Sequence, residues 1–182
     1  MKINYNSPVI LTFALLSTVV FLMDRFTGAN VMQYFLVGNH ISIANPFSLA
    51  TLFTHVIGHG SMEHLLGNLT FILLLGPIVE EKYGGMKTLI MILITAFITG
   101  ILNVLFFNTG LYGASGIVFM LILLASFTNN QEGGGIPLTF ILVAILFLGK
   151  EIMQSLTADH ISQFAHIIGG LCGSAFGFAG RK

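Results

Sequence analysis

Ser115 is the residue of this chain with the clearest chemical potential. It stands in Gly113-Ala114-Ser115-Gly116, where flanking glycines allow a sharp turn and close approach of a substrate backbone. A hydroxyl attacks poorly without a base. The candidate base is His166, in Ala165-His166-Ile167-Ile168-Gly169-Gly170-Leu171-Cys172-Gly173. Gly169, Gly173 and Gly177 recur at every fourth position, a groove that lets another helix come near enough for its serine to reach the imidazole. His64 and Asn68 are four apart, so on a helix they share a face, and both can donate hydrogen bonds to an oxyanion beside the helix's positive dipole end. None of the seven acids sits at an orienting distance in sequence, which predicts a Ser-His pair rather than a triad.

Taken singly, these features have plainer readings: a small-residue packing motif, a packed histidine, a polar contact between helices. A metal site is the other chemical reading, through His55, His59, Glu63 and His64. The run from His59 to His64 is one residue too long for His-x-x-Glu-His, so neither a metal nor any other cofactor is expected. His55 and His59 are instead assigned to bonding loop backbone and positioning the helix that follows.

The elements that must position these residues are membrane helices. Of 182 residues 55% are apolar and 8% charged, where a soluble domain carries about 25% charged. Seven Lys plus Arg balance seven Asp plus Glu, leaving no basic surface for nucleic acid. The lone Cys172 excludes an intramolecular disulfide framework. The expected architecture is all-α: a single polytopic domain over 1–182 with spans at about 9–23, 64–79, 88–107, 115–127, 136–148 and 164–180. The first apolar run also fits a signal peptide, but no small-residue cleavage site follows at once. The stretch from Thr27 to Thr54 reads as a long, partly amphipathic surface loop interrupted by Asn45 and Pro46. The span from Ser115 is too short for a hydrocarbon core of about 30 Å, so one of its ends must lie inside the membrane. Placing both termini in the cytoplasm puts Lys2, Lys82, Lys87, Arg181 and Lys182 inside, with Arg25 and Lys150 outside. Spans two, four and six then enter from the outer face, bringing His64, Asn68, Ser115 and His166 to one depth.

Four ordered motifs carry a resemblance: Phe53-Thr54-His55-x-x-x-His59-x-x-x-x-His64-Leu65-Leu66-Gly67-Asn68, Gly76-x-x-x-Glu80-x-x-x-Gly84, Gly113-Ala114-Ser115-Gly116, and Ala165-His166-x-x-Gly169-x-x-x-Gly173. Over roughly residues 46 to 180 the chain resembles the rhomboid family of intramembrane serine proteases. The resemblance implies a six-helix core, Ser115 as nucleophile, His166 as general base, and Asn68, His64 and the Ser115 backbone N–H as oxyanion donors. It also implies substrates that are transmembrane helices of other proteins, cut near the outer boundary of what is expected to be a bacterial plasma membrane. Two positions depart from the pattern. Ala50 and Thr51 replace a frequent Trp-Arg, and Phe119 replaces a Tyr that packs on the catalytic imidazole, keeping the ring and losing the hydroxyl. The competing expectation is a scaffold that binds transmembrane segments without cutting them, or a small transporter. Retention of both Ser115 and His166 argues against the scaffold, and charges confined to span boundaries argue against the transporter. Membrane lipids are expected partners; substrate identity and oligomeric state are not legible.

Overall fold

The structure is a computed structural model that describes residues 4–128, 135–149 and 160–180. The polar turn expected at 129–135, except Gly135, and the boundary expected at Lys150, Glu151 and Asp159 lie outside the described residues. Within them the chain is all-α, with seven helices: α1 (Pro8–Thr27), α2 (Pro46–Thr54), α3 (Met62–Tyr83), α4 (Gly85–Phe106), α5 (Ser115–Ala125), α6 (Leu138–Val143) and α7 (His160–Ala179). Residues Ala144–Leu148 continue α6 as a π-helical segment. Helices α1, α3 and α4 are long and apolar enough to cross a membrane, while α5 and the helix from Leu138 are shorter apolar pieces. Leu73, Leu74, Leu89, Ile90 and Leu93 face outward and exposed, as lipid rather than water as solvent requires.

Two expectations need correction. The stretch from Thr27 to Thr54 is not all loop: it holds a 3₁₀ turn at Val31–Phe35 and then α2. Asn45 and Pro46, read as interruptions, are its start signal. The Asn45 side chain accepts from the Phe47 N–H at 3.0 Å, and Pro46 occupies the first turn, where a missing N–H costs nothing. The second expected span, ended at Val79, runs on to Tyr83 because the charges that follow are used by neighbouring helices. Glu80 is buried and its carboxylate accepts from the N–H groups of Val9 (3.1 Å) and Ile10 (3.0 Å), two of the donors that the start of α1 leaves unpaired. Lys82 Nζ donates to the carbonyl of Thr128 at 2.7 Å and, at 3.4 Å, to that of Phe127, just past the end of α5. These bonds gather the start of α1, the end of α3 and the end of α5 at one end of the bundle.

Helix α5 is the core. Ile117, Met120, Leu121, Leu123 and Leu124 are fully buried and Val118, Phe119 and Ile122 nearly so, burial on every face as an all-round apolar helix demands. Its most extensive partner is α7, and α3 and α4 also pack against it. At 11 residues it covers only about 16 Å. Its N-terminus therefore starts within the bundle rather than at its edge.

The α5–α7 contact is made backbone to backbone. A Cβ added at Gly169 would overlap the carbonyl of Gly116, and one at Gly173 the carbonyl of Met120. Carbonyls cannot swing aside as the tip of a flexible side chain can. Gly173→Leu is therefore expected to lower stability by at least about 3 kcal/mol, the upper range for overpacking, and Gly173→Ala to be harmful too. Thermal unfolding in detergent checks this; parent-like melting of either variant would contradict the contact.

Candidate active site

The site is built from the approach to Ser115 upward. Residues Val37 and Leu111 form an antiparallel bridge, with N–H to carbonyl distances of 3.1 and 2.9 Å, and the Gly113 N–H donates to the His55 carbonyl at 2.9 Å. These bonds tie the segment before α2 and the turn after it to the strand-like entry into α5. Ala50 and Thr51, the departures from Trp-Arg, thus leave the first loop anchored by backbone bonds. Gly113 has φ +118°, a conformation that side chains rarely adopt, and a Cβ there would press into the His64 ring. Ala114 then caps α5 and Ser115 is its first residue. The earliest helical bond at this end joins the Val118 N–H to the Ala114 carbonyl, so the N–H groups of Ser115, Gly116 and Ile117 have no acceptor within the helix. An unpaired row of donors beside a hydroxyl is what an oxyanion site needs.

A cavity of about 420 Å³ opens at this helix start and is lined by His64, Asn68, Tyr112, Ser115, Phe119 and His166, with Gly67, Phe71, Leu111 and Val118 completing it. The structure thus brings the predicted pair and both predicted donors to one place, from α3, α5 and α7. The register of α5 on α7 explains why. Gly116 meets Gly169 and Met120 meets Gly173, so the two helices run parallel, four residues matched to four. Ser115 precedes its contact residue by one position and His166 precedes its own by three. At 1.5 Å rise per residue the two differ by only about 3 Å in level along the bundle. The His166 ring is further fixed by Phe119, stacked on it at 4.4 Å between centroids and 6° between planes. Phe147, from the π-helical segment, meets Phe119 edge-on at 6.1 Å and 80°. The missing hydroxyl at position 119 leaves the stack intact.

Asn68 is held by His59. His59 Nδ1 lies 3.0 Å from the Ile57 carbonyl, which can only accept, so Nδ1 carries the proton and Nε2 the lone pair. Nε2 is 3.0 Å from Asn68 Nδ2 and accepts from it. One amide hydrogen is thereby committed and the other remains for the cavity. His64 packs edge-on against the His59 ring at 5.1 Å and lies 6.3 Å from the Tyr112 ring. His55 Nδ1 donates to the Thr51 carbonyl at 3.1 Å, and its Nε2 lies 3.3 Å from the Thr99 hydroxyl. With both nitrogens of His59 engaged, that ring has no lone pair to offer a metal ion. His55 and His59 hold backbone as expected; that His59 also orients the Asn68 side chain was not foreseen. Tyr112 was missed as well, although an aromatic directly beside the Gly-x-Ser-Gly turn was the available signal.

Burial pushes both loop histidines down, His55 to about 4 and His59 to about 4, against 6.5 for a free imidazole. Each stays neutral in the fold while an unfolded chain would take up a proton. Stability present at neutral pH should therefore be lost as pH falls from about 6.5 toward 4. Melting temperatures from pH 7.5 to 4.5 should drop less steeply in His59→Gln than in the parent. Equal slopes would mean that His59 titrates freely in the folded state.

Known proteins match the chain over most of its length. The family description that fits residues 46–182 is the rhomboid domain. The chain is 26% identical over 174 residues to a protein named rhomboid protease GlpG from Salmonella paratyphi A, covering 94% of this chain and 62% of that protein. It is 24% identical over 131 residues to the protein of the same name from Haemophilus influenzae, covering 71% of this chain and 68% of that one.

Proposed function

The chain belongs to the rhomboid family, an integral membrane family, and from that premise we propose that it is a serine endopeptidase cutting transmembrane segments of other membrane proteins. The observation that carries the reading is the cavity in which Ser115, at the unpaired N-terminus of α5, meets His166 and the anchored amide of Asn68. In this reading His166 takes the Ser115 proton as the oxygen attacks the scissile carbonyl, and the resulting oxyanion accepts hydrogen bonds from the Ser115 N–H, Asn68 and His64. Collapse expels the amine, which leaves with the proton held by His166. Water then adds to the acyl-enzyme, losing its own proton to His166, and releases the acid and Ser115. Phe119 keeps the imidazole plane in place throughout.

The same reading assigns six membrane crossings, by α1, α3, α4, α5, α6 with its continuation, and α7. The ends of α3 and α5 and the start of α1 would face the cytoplasm of a bacterial cell. The positive charges at Lys2, Lys82, Lys87, Arg181 and Lys182 favour that orientation, and it opens the cavity toward the outer side. Substrates would then be cut near the outer boundary.

Ser115 and His166 should behave as one chemical unit. Cleavage of a transmembrane reporter in liposomes should fall to about the same residual rate in Ser115→Ala, His166→Ala and the double variant, because neither group works without the other. If the double variant instead lost the product of the two single factors, the groups would act independently. A well-folded Ser115→Ala that cleaved like the parent would end the protease reading and leave a membrane scaffold.

A further inference from the structure

At the opposite end of the bundle from Ser115, a crevice of about 400 Å³ opens between the end of α3, the first turns of α4 and the end of α7. Lys82, Tyr83, Lys87, Met91, Phe176 and Gly180 line it. We propose that this crevice binds the phosphodiester headgroup of an anionic phospholipid.

Charge is the first argument. Of the seven lysines and arginines in a chain with no net charge, two converge here. Lys82 Nζ donates two of its three hydrogens, to the carbonyls of Thr128 and Phe127. Those acceptors are neutral, so its positive charge is uncompensated and one hydrogen remains for a ligand. Lys87 has neither a hydrogen bond nor an ion pair among the described residues. Among the described residues no carboxylate forms an ion pair with either lysine: Glu80 is turned onto the N–H groups of Val9 and Ile10, and Glu81 does not line the crevice. A phosphodiester anion seated in the crevice would pair with both lysines that line it.

Shape distinguishes a lipid from a free anion. Among the described lining residues the two lysines come from the end of α3 and the start of α4, while the α7 side offers Phe176, Ala179 and Gly180. Met91 lies one turn of α4 beyond Lys87, and Phe176 lies one turn of α7 before Gly180, so the crevice passes from cationic to apolar as it leaves the end of the bundle. A free phosphate needs donors on all sides; an amphiphile with an anionic head and an apolar chain fits a lining that is half cationic and half apolar. The placement at a helix-end boundary is where a headgroup would sit. The proposal is independent of any reaction at Ser115.

The test uses the purified full chain in a neutral detergent, titrated in parallel with phosphatidylglycerol, phosphatidylcholine and inorganic phosphate, with binding followed by native mass spectrometry and melting temperature. Phosphatidylglycerol should bind more tightly than phosphatidylcholine and raise the melting temperature. Lys87→Ala should lower that affinity about fivefold and Lys87→Arg should restore most of it. Met91→Asp should remove phosphatidylglycerol binding by charging the apolar side. Equal binding of the two lipids, or a phosphatidylglycerol preference untouched by Lys87→Ala, overturns the proposal. Stabilisation by phosphate alone that survives Met91→Asp would make the crevice a free-anion site and also overturn it. Lys82 is left intact throughout because it also holds the end of α5.

Discussion

The close approach of α5 to α7 is the constraint on which the rest of this molecule depends. Gly169 and Gly173 remove the side chains that would stand between the helices, and the carbonyls of Gly116 and Met120 move into the space. Between helices in lipid there is no hydrophobic drive to association, so such packing and the bonds it permits must supply the attraction. The contact also sets a register. Two backbone contacts one turn apart, each carbonyl seated against a glycine, resist sliding, and Ser115 and His166 are therefore kept at nearly one level without any direct link in sequence.

Around that pair the molecule spends its few polar groups at helix ends. Glu80 satisfies the start of α1, Lys82 the end of α5, and Asn45 the start of α2. The start of α5 has no such partner among the described residues: its cap, Ala114, has no polar side chain to offer its own N–H groups. An apolar interior makes an unpaired donor costly, and in the proposed reaction that cost has a use, since the developing negative charge would fall here. His59 extends the same logic to a side chain: a fixed tautomer presents one lone pair to Asn68, and the amide can turn only one hydrogen inward.

Much of this was legible in the sequence because long apolar runs declare helices and because glycines at four-residue intervals declare a groove. The helices from Met62, Gly85 and Ser115 begin within a few residues of the spans expected there. What was not legible shares one cause: a residue type whose meaning depends on a partner distant in sequence. Glu80 and Lys82 look like a span boundary until α1 and α5 are placed against them, 71 and 46 positions away. Asn45-Pro46 reads equally as an interruption or a helix start, and only the Phe47 bond decides it. The roles of His59 toward Asn68 and of Tyr112 toward the cavity likewise need neighbours that spacing alone does not provide.

The central claim is that helix packing has made Ser115 a nucleophile by setting it beside His166. Labelling with a fluorophosphonate, which modifies a serine only when its hydroxyl is activated, reads that property directly and needs no substrate. The account predicts a single covalent adduct that maps to Ser115 and is lost in both His166→Ala and Gly169→Leu protein that remains in the membrane. Labelling of Ser115 that persists at parent level in His166→Ala, or folded parent protein that never labels, would contradict it.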